Sequence, residues 1–546
     1  MTSKWLFAGL ASLVTAPAYA QTPVTPKLVV AIAVDQFSSD LFDEYRPYYK
    51  GGLKRLTQGV VFPRGYQSHA ATETCPGHST ILTGDRPSRT GIIANDWAMP
   101  GLERKDAGGR PTFDVYCAEK PGPAGSSAAQ QLISADLLKV PTLGDRMKTV
   151  DLRTRVLSVS GKDRAAVMMG GYGTDVTIWW NGKAFGTYAG LDATLPVGLA
   201  QINVRATAAI AKPIVQKLPR ECSAHSLAVP TGPTTSVGTL QPRKAGDAGR
   251  WRATPEFDAM TLDVALAGVS AMKLGKGELT DVLAVSFSAT DYVGHSFGTA
   301  GAETCSQIMA LDATLARMFA ALDKTGVPYV VVLTADHGGH DMPERNRARG
   351  LPDAQRVDVA LFAPTVGAQV AARFGLPGNP LIGRSAFGDM YVSASVPAAK
   401  RLAVRDSAVS IYRAHPQVEV VFTRDDLIAA PGPSGPADEW SLLTRAKASF
   451  DPERSGDFLV LLKEYVTPIP SAGAGYVATH GSPWGYDRRV PILFWWKGIQ
   501  GFEQPNAVET VDIMPTLASL IGLDIPVGDV DGRCLDLDAG TGNNCR

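Results

Sequence analysis

Four short runs of apolar, often β-branched residues stand out along the chain, and each run ends in polar groups. The runs are KLVVAIAV, TRVLSVSG, DVLAVSFSAT and VPYVVVLTA. Continuous apolar stretches of this length are typical of buried parallel strands. In open α/β sheets, ligands bind beyond the carboxyl ends of the strands, so we expect the groups that follow these runs to meet at one edge. These groups are Asp35, Lys162, Arg164, Asp291, Asp336 and His337.

Helical patterns lie between the predicted strands. They include LFDEYRPYYKGGLKRLTQG, early in the chain, and VETVDIMPTLASLIG, near its end. Strands that alternate with helices in this way predict an α/β fold. We therefore expect a doubly wound, mostly parallel central sheet flanked by helices.

Two regions do not follow this alternation. Residues 171–257 contain TIWWNGKAFGTY, in which the pair Asn181-Gly182 predicts a hairpin turn, and then a stretch rich in Pro, Gly and Thr. Residues 342–474 include the loop APGPSGPA. Insertions of this kind often form caps or subdomains over an active site. The predicted core is thus made of residues 21–170, 258–341 and 475–546, with two inserted regions between its parts.

The first 20 residues have the features of a secretory signal peptide. Lys4 precedes the apolar run WLFAGLASLVTAPAYA, which ends in the A-x-A pattern at Ala18-Tyr19-Ala20. The alternative is a membrane anchor, but the run contains Pro17 and is shorter than the roughly 20 residues that cross a bilayer. No other stretch is long and apolar enough. We therefore expect a periplasmic or secreted protein without a membrane span.

Composition narrows the classes of partner. The 546 residues are 45% hydrophobic, with 53 basic and 53 acidic residues, which describes a large globular protein. Balanced charge provides no net field for nucleic acid, so we expect no nucleic-acid partner. An anionic substrate must then be bound by local cations.

The six cysteines lie far apart and form no C-x-x-C pair, which argues against a thiolate zinc site. An even number of cysteines in an exported chain favours disulfides. Proximity suggests only the pair Cys534 and Cys545, which would close the C-terminal tail. The other pairings stay open.

Carboxylate and imidazole groups occur together in three segments. ATDYVGHSFG contains Asp291 and His295, LTADHGGHD contains Asp336 and His337, and ATHGSPWGYDRR contains His480. These ligand types suit zinc. The D-x-x-x-H spacing also places both side chains on one face of a helical turn, where they can reach one ion. Such a pair alone is weak evidence.

In their order along the chain, these segments resemble the alkaline phosphatase superfamily and, within it, the phosphate-irrepressible, PafA-type alkaline phosphatases. The resemblance covers essentially the whole mature chain. The segments that carry it are VVAIAVDQF, ATETCPGHSTILTGDRPSRTGIIAN, SVSGKDRAAV, SATDYVGHSFG, LTADHGG, THGSPWGYDRRVPILF and VDIMPTLASLIG. It implies two zinc ions per chain, with Asp291, His295 and His480 as ligands of one ion and Asp35, Asp336 and His337 as ligands of the other.

The resemblance also implies the catalytic roles. Thr74 occupies the nucleophile position and would form a phosphothreonine, with one ion stabilising its alkoxide and the other the leaving oxygen. Asn95, Lys162 and Arg164 would bind the non-bridging phosphoryl oxygens. If the segment after TRVLSVSG is extended, alternation points residues 162 and 164 to the same side and turns Asp163 away.

A charge count favours phosphate monoesters as substrates. Two zinc ions and three aspartates carry a net charge of plus one, and Lys162 with Arg164 bring it to plus three. A monoester dianion with an alkoxide balances this charge, whereas a diester monoanion leaves one positive charge uncompensated. We predict a monomeric phosphomonoesterase.

Four other functions are alternatives to this prediction. A nucleotide pyrophosphatase/phosphodiesterase of the same superfamily shares the spacing from Thr74 to Asn95 and all six ligands, but the K-D-R pair is not expected in it. A sulfatase needs C-x-P-x-R, and the run here is CPGHS. A manganese-dependent phosphoglycerate mutase would be cytoplasmic and use a serine. A catalytically dead phosphate- or zinc-binding protein is opposed by the intact nucleophile and ligand set.

The remaining histidines are assigned structural or peripheral positions. His69 and His78 are predicted to be structural. For His340, which is close in sequence to the predicted ligands, contact with substrate or a metal ligand is the alternative to a structural position. His225 and His415 lie in the inserted regions, where surface positions are expected. Thr74 would also serve as the N-cap of a helix that begins near Pro76.

Overall fold

The computed structural model describes residues 25–129, 131–191, 194–473 and 475–545. The predicted signal peptide, residues 1–20, lies outside this range. None of the helices in the described residues is long and apolar enough to cross a membrane.

The chain alternates between strands and helices through most of its length. The strands are β1 (Leu28–Val34), β2 (Val60–Tyr66), β3 (Asp96–Ala98), β4 (Arg104–Lys105), β5 (Pro111–Thr112), β6 (Asp114–Tyr116), β7 (Glu119–Lys120), β8 (Leu132–Ile133), β9 (Val156–Ser160), β10 (Val176–Trp180), β11 (Phe185–Gly186), β12 (Val229–Pro230), β13 (Ser236–Val237), β14 (Asp281–Phe287), β15 (Tyr329–Thr334), β16 (Gln355–Arg356), β17 (Leu381–Ile382), β18 (Gly388–Val392), β19 (Val418–Thr423), β20 (Phe458–Leu462), β21 (Val466–Thr467), β22 (Arg489–Trp496), β23 (Phe502–Glu503) and β24 (Val508–Glu509).

The helices are α1 (Ser39–Tyr45), α2 (Gly52–Leu56), α3 (Thr74–Thr83), α4 (Pro87–Thr90), α5 (Leu143–Val150), α6 (Asp163–Gly170), α7 (Leu199–Ala211), α8 (Ala248–Arg252), α9 (Pro255–Ala271), α10 (Ala289–Phe297), α11 (Ala302–Lys324), α12 (Pro343–Ala348), α13 (Ala363–Phe374), α14 (Ala398–Ala414), α15 (Arg424–Ala429), α16 (Leu442–Ser449), α17 (Gly485–Arg488) and α18 (Ile513–Ile521).

A ten-stranded sheet forms the centre of the fold. Its strand order is β11-β10-β9-β14-β1-β15-β22-β2-β23, with β24 also paired to β2. The four strands predicted from apolar runs are confirmed as β1, β9, β14 and β15, and they are neighbours. β1 pairs in parallel with β14 on one side and with β15 on the other. Their carboxyl ends therefore lie side by side, which places the groups that follow them at one edge.

Both faces of this sheet are covered, as the continuous apolar strands require. Along β1, alternate residues such as Val30 and Ile32 join a core that includes Leu262 of α9 and Leu311 of α11. The intervening residues Val29, Ala31 and Ala33 join a second core, together with Ile81 of α3 and Leu517 of α18. The predicted doubly wound α/β fold is confirmed.

The region 342–474 has a sheet and a core of its own. Its antiparallel sheet has the order β17-β18-β20-β19. Helices α13 and α14 contribute Val366 and Val404 to a core that also contains Val460 of β20.

The predicted turn at Asn181-Gly182 is confirmed, but its hairpin belongs to the central sheet. Trp180 pairs with Phe185 across the turn, and Gly182 has the positive φ of 94° that favours glycine there. β10 also pairs in parallel with β9. The hairpin thus extends the sheet at its edge, although we expected it in a cap beginning at residue 171. The division of the chain into core and insertions stays a prediction.

The helical pattern predicted in LFDEYRPYYKGGLKRLTQG is confirmed, but as two short helices, α1 and α2, with a short 3-10 turn (Arg46–Tyr48) between them. Pro47 in the turn has no N–H to continue an α-helix. α2 then begins at Gly52, which packs against α11 so closely that a Cβ there would lie 2.3 Å from Cβ of Leu315. The helix near the end of the chain is confirmed as α18.

Three disulfides connect the six cysteines. The predicted pair Cys534–Cys545 is confirmed. The pairs that the sequence left open are Cys75–Cys117 and Cys222–Cys305, which bridge separations of 42 and 83 residues.

Candidate active site

Thr74 is the first residue of α3, directly after the N-cap residue Glu73. The helix therefore begins before Pro76, and Thr74 is not the N-cap that we expected. The side chain is buried. Unpaired N–H groups and the helix dipole favour a phosphate group at such a terminus.

Two cations contact the Thr74 hydroxyl. Nζ of Lys162 and Nη2 of Arg164 each lie 3.4 Å from Thr74 Oγ1. The extended segment that we expected here is wrong, because β9 ends at Ser160 and α6 begins at Asp163, with Lys162 as its N-cap. Lys162 and Arg164 nevertheless point to the same place from the start of this helix. Asp163 turns away and accepts a hydrogen bond of 2.6 Å from the Tyr116 hydroxyl.

Lys162 also links Thr74 to two aspartates. Its Nζ lies 2.5 Å from Asp291 Oδ2 and 2.6 Å from Asp35 Oδ2. Burial alone would lower the pKa of Lys162, but the carboxylates of Asp291 and Asp35 outweigh it and raise the pKa above its ordinary value. The side chain is therefore a buried, permanently charged cation.

The first of two groups of candidate metal ligands consists of Asp291, His295 and His480. Asp291 and His295 lie on one face of α10, as the D-x-x-x-H spacing predicts, with His295 Nε2 at 3.2 Å from Asp291 Oδ1. His480 Nε2 lies 3.4 Å from the same oxygen. Because burial alone raises the pKa of Asp291, its low pKa results from the nearby His295 and Lys162, which outweigh that effect. Asp291 is thus held as a carboxylate.

Asp35, Asp336 and His337 form the second group. Asp35 follows β1, and Asp336 and His337 follow β15. His337 Nε2 lies 3.5 Å from Asp35 Oδ1 and 3.3 Å from Asp336 Oδ2. The His337 ring also stacks on that of His480, with centroids 3.6 Å apart. Ligand atoms of Asp291, His337 and His480 lie within 4.8 Å of one another, so His337 borders both groups.

The three imidazoles share one tautomer. In each ring, Nδ1 lies 2.8–2.9 Å from a backbone carbonyl oxygen, which only accepts hydrogen bonds, so Nδ1 carries the proton and Nε2 keeps its lone pair. Metal-binding histidines are oriented in this way. Burial lowers the pKa of His337 to about 3 and also lowers that of His480, so both rings are neutral. The carbonyl partners of His295, His337 and His480 are those of Ala478, Gly338 and Thr72.

Several ligand-type atoms at this site have no hydrogen-bond partner among the described residues although they are buried. They are Asp35 Oδ1, Asp291 Oδ1 and His337 Nε2. Burial raises the pKa of Asp35, and the charges of Asp291 and Asp336 raise it further. Buried charges need a paired or metal partner. Three aspartates and three histidines therefore form a donor set that fits divalent metal ions.

Asn95 lies beside the start of α3. Its Oδ1 accepts a hydrogen bond of 2.8 Å from the backbone N–H of Cys75, the residue after Thr74. The structure thus brings all ten residues of the predicted site together. These are Thr74, Asn95, Lys162, Arg164, Asp35, Asp291, His295, Asp336, His337 and His480.

Sequence reasoning missed the contact that His78 makes with this site. His78 Nδ1 lies 2.8 Å from the Thr74 carbonyl oxygen and 3.0 Å from Asp336 Oδ2, while its Nε2 lies 2.8 Å from Ser286 Oγ. Its position one turn after Thr74 on the same helix is a signal that could have indicated this contact.

The other histidines lie outside the ligand groups. His340 bonds to Thr467 Oγ1 at 2.8 Å, and burial lowers its pKa to about 4. His69 is buried, and burial lowers its pKa to about 3. The side chains of His225 and His415, which we expected at the surface, are only 16% and 19% exposed.

Comparison with known proteins identifies similar chains over nearly the full length. The sequence profile of the type I phosphodiesterase/nucleotide pyrophosphatase family matches residues 29–482. The chain is 54% identical over 532 residues to alkaline phosphatase PhoK of Sphingomonas sp, covering 96% of this chain and 93% of PhoK. It is 49% identical to alkaline phosphatase PhoD of Zymomonas mobilis subsp. mobilis, covering 95% and 89% of the two chains.

Two crystal structures of alkaline phosphatase PafA superimpose on the fold. Wild-type PafA does so with a TM-score of 0.80 at 27% identity, covering 94% of this chain and 99% of PafA. The second structure is a PafA variant with a TM-score of 0.79 at 26% identity, covering 94% and 99% of the two chains. In this variant a threonine is replaced by serine, and an asparagine, a lysine and an arginine are replaced by alanine.

Proposed function

The chain belongs to the type I phosphodiesterase/nucleotide pyrophosphatase family and, within the alkaline phosphatase superfamily, to its PafA/PhoK-type members, and we propose that it is an exported, two-zinc enzyme with Thr74 as its nucleophile. Two relatives that match over most of their length, PhoK and PhoD, are alkaline phosphatases. The chain is accordingly a phosphoric monoester hydrolase that acts on small phosphate esters. Zinc, the covalent intermediate and export are the parts that we propose.

The strongest support for the proposal is the set of contacts around the Thr74 hydroxyl. The Thr74 hydroxyl lies 3.4 Å from both Lys162 Nζ and Arg164 Nη2, and Lys162 Nζ in turn contacts a carboxylate of each ligand group. A nucleophile, two cations and two sets of metal ligands thus meet at one edge of the sheet. The PafA variant supports the same set, because the residue types replaced in it are those of Thr74, Asn95, Lys162 and Arg164.

Asp291, His295 and His480 would hold one zinc ion, and Asp35, Asp336 and His337 the other. Mixed carboxylate and imidazole ligands favour zinc over magnesium, which prefers oxygen ligands alone. When bound, two such ions supply Lewis-acid stabilisation for the attacking and leaving oxygens of an in-line displacement.

The residues of the chain then carry out the transfer in two steps. Thr74 Oγ1 forms a bond to phosphorus as the bond to the leaving oxygen breaks, which gives a phosphothreonine and, with the proton lost by the hydroxyl, the free alcohol. Water attacks this phosphothreonine, phosphate leaves and the Thr74 hydroxyl is restored. Lys162 and Arg164 bind the non-bridging oxygens in both steps, and the amide nitrogen of Asn95 donates to one of them.

The second candidate function is phosphodiester hydrolysis, which the name of the matching family favours. The two cations at Thr74 support the monoester instead, because a monoester offers more negative charge on its free oxygens. We would measure kcat/KM for p-nitrophenyl phosphate and for bis-p-nitrophenyl phosphate, with metal analysis of the same sample. A large preference for the monoester and close to two zinc ions per chain are expected. Equal or better diester hydrolysis would contradict the proposal.

Export is proposed from the predicted signal peptide at residues 1–20. Three disulfides in the described residues support it, because disulfides persist in oxidising compartments. N-terminal sequencing of the mature protein should begin at Gln21, and a mature chain that retains Met1 would contradict cleavage. We also propose a monomer, which size-exclusion chromatography with light scattering tests.

A further inference from the structure

Asn95 is held at three of its polar atoms. Its backbone N–H donates to Glu73 Oε2 at 2.7 Å, and its Oδ1 accepts from the N–H of Cys75 at 2.8 Å. Its backbone carbonyl accepts from the N–H of Cys117 at 2.9 Å. Glu73 and Cys75 are the residues directly before and after Thr74. The position of Asn95 is therefore fixed relative to the nucleophile itself.

The third contact is reinforced by a covalent bond between Cys75 and Cys117. Asn95 and Cys117 lie opposite each other where the β3–β6 pair ends, next to the paired residues Asp96 and Tyr116. The disulfide joins this end of the hairpin to the first turn of α3. Both cysteines are 0% exposed.

These contacts also determine how the Asn95 amide is oriented. Because the backbone N–H of Cys75 can only donate, the side-chain atom that it contacts must be the amide oxygen. The amide nitrogen is then the atom left for substrate, and it donates to no side chain or carbonyl of the described residues. A rotated amide would present its oxygen to the anionic phosphoryl group and repel it.

We propose that Glu73 and the Cys75–Cys117 disulfide are positioning residues that hold the Asn95 amide beside Thr74, so that monoester hydrolysis is fully active only when this disulfide is formed. The inference rests on the proposed function, in which Asn95 donates to a phosphoryl oxygen. Forming the S–S bond releases two protons and two electrons from the thiols, and a small-molecule or protein disulfide accepts them as it becomes two thiols. Activity would thus be linked to an oxidising compartment.

The first test compares two disulfides of equal burial. Cys75→Ala/Cys117→Ala removes the proposed positioning bond, and Cys222→Ala/Cys305→Ala removes the other bond between fully buried cysteines. The first variant should lose about tenfold or more in kcat/KM for p-nitrophenyl phosphate, mostly in kcat, because part of the stabilisation by one preorganised donor is lost. The matched control should keep wild-type kcat/KM when both are assayed well below their melting temperatures. Equal kcat/KM in the two variants would overturn the inference.

The second test asks whether the effect passes through Asn95. Asn95→Ala should lower kcat/KM by about 10²–10³, the usual effect of removing one such donor. In that background, removing Cys75 and Cys117 should cause no further loss, whereas losses that multiply would show that the disulfide acts elsewhere.

Substitution of Glu73 provides a third test, in which all three disulfides stay intact. Glu73→Ala should lose activity, and Glu73→Gln, which retains an acceptor oxygen for the Asn95 N–H, should recover most of it. A Gln variant as impaired as the Ala variant would contradict positioning by this hydrogen bond. If Asn95→Ala keeps wild-type activity, the proposed function of Asn95 fails. If Asn95→Ala is impaired but the Cys75/Cys117 variant is not, only the inference fails.

Discussion

Replacing both Lys162 and Arg164 by alanine should shift the substrate preference from monoesters towards diesters. Each side chain lies 3.4 Å from Thr74 Oγ1 and can contact a non-bridging oxygen of a phosphoryl group bound there. A monoester presents more charge on these oxygens than a diester, in which one of them is esterified. The two contacts therefore strengthen the monoester transition state more.

The size of the effect follows from the charge of the two side chains. A hydrogen bond to a charged group contributes roughly 1.5–3 kcal/mol, so two of them contribute roughly 3–6 kcal/mol. Since 1.36 kcal/mol corresponds to a factor of ten in rate, monoester kcat/KM should fall by about 10²–10⁴. Diester kcat/KM should fall by about tenfold, on the scale of the weaker of these contacts.

The assay compares kcat/KM for p-nitrophenyl phosphate and bis-p-nitrophenyl phosphate in the double variant and in Arg164→Ala. Lys162 also contacts Asp35 and Asp291, so zinc content must be measured in every sample. Arg164 forms no ion pair with a ligand residue among the described residues, and its single variant separates substrate binding from metal binding. An equal loss on both substrates, with zinc retained, would refute this explanation of monoester preference.

Two further predictions concern the metals and pH. Chelation should abolish activity and added zinc should restore it better than magnesium, and full activity in a metal-free sample would rule out the two-zinc assignment. Asp258 accepts hydrogen bonds from Ala289 N–H and Gln307 Nε2, and burial raises its pKa from 3.8 to about 7. The pKa of Asp258 is higher in the folded than in the unfolded state, so the folded state binds the proton more tightly. The free energy of unfolding therefore falls as the pH rises from the unfolded pKa to the folded pKa, by roughly 4 kcal/mol in all. The free energy of unfolding should therefore fall less between pH 5 and 8 in Asp258→Asn than in the wild type, and parallel profiles would contradict the shift.

The sequence predicts the sheet and the location of the site because the two signals coincide. Uninterrupted apolar runs indicate strands buried on both faces, and β1, β14 and β15 are followed within four residues by Asp35, Asp291 and Asp336. Parallel neighbours bring those ends together whatever their distance along the chain. The approach of these carboxylates to one another could thus be predicted without knowledge of the loops, whereas the division of the ligands into two groups rests on the resemblance to the alkaline phosphatase superfamily.

Other features depend on contacts that no local pattern encodes. The pairing of Cys75 with Cys117 follows from the approach of the β3–β6 hairpin to α3, and neither spacing nor composition indicates it. The chain enters α6 at Lys162, although the residues there are also consistent with the extended segment that we expected. Glu73 has no motif of its own, and only the folded chain places its carboxylate against the N–H of Asn95.

The central claim is that Thr74 becomes phosphorylated during turnover. Acid quenching of the enzyme during hydrolysis of a phosphate monoester, followed by peptide mapping by mass spectrometry, tests it directly. We predict phosphate on Thr74 in the wild type and on the same position in Thr74→Ser. A folded Thr74→Ala variant should carry no phosphate and should have residual activity at most. Phosphate on Ser79 or Thr80, or a Thr74→Ala variant that turns over substrate normally, would contradict the account.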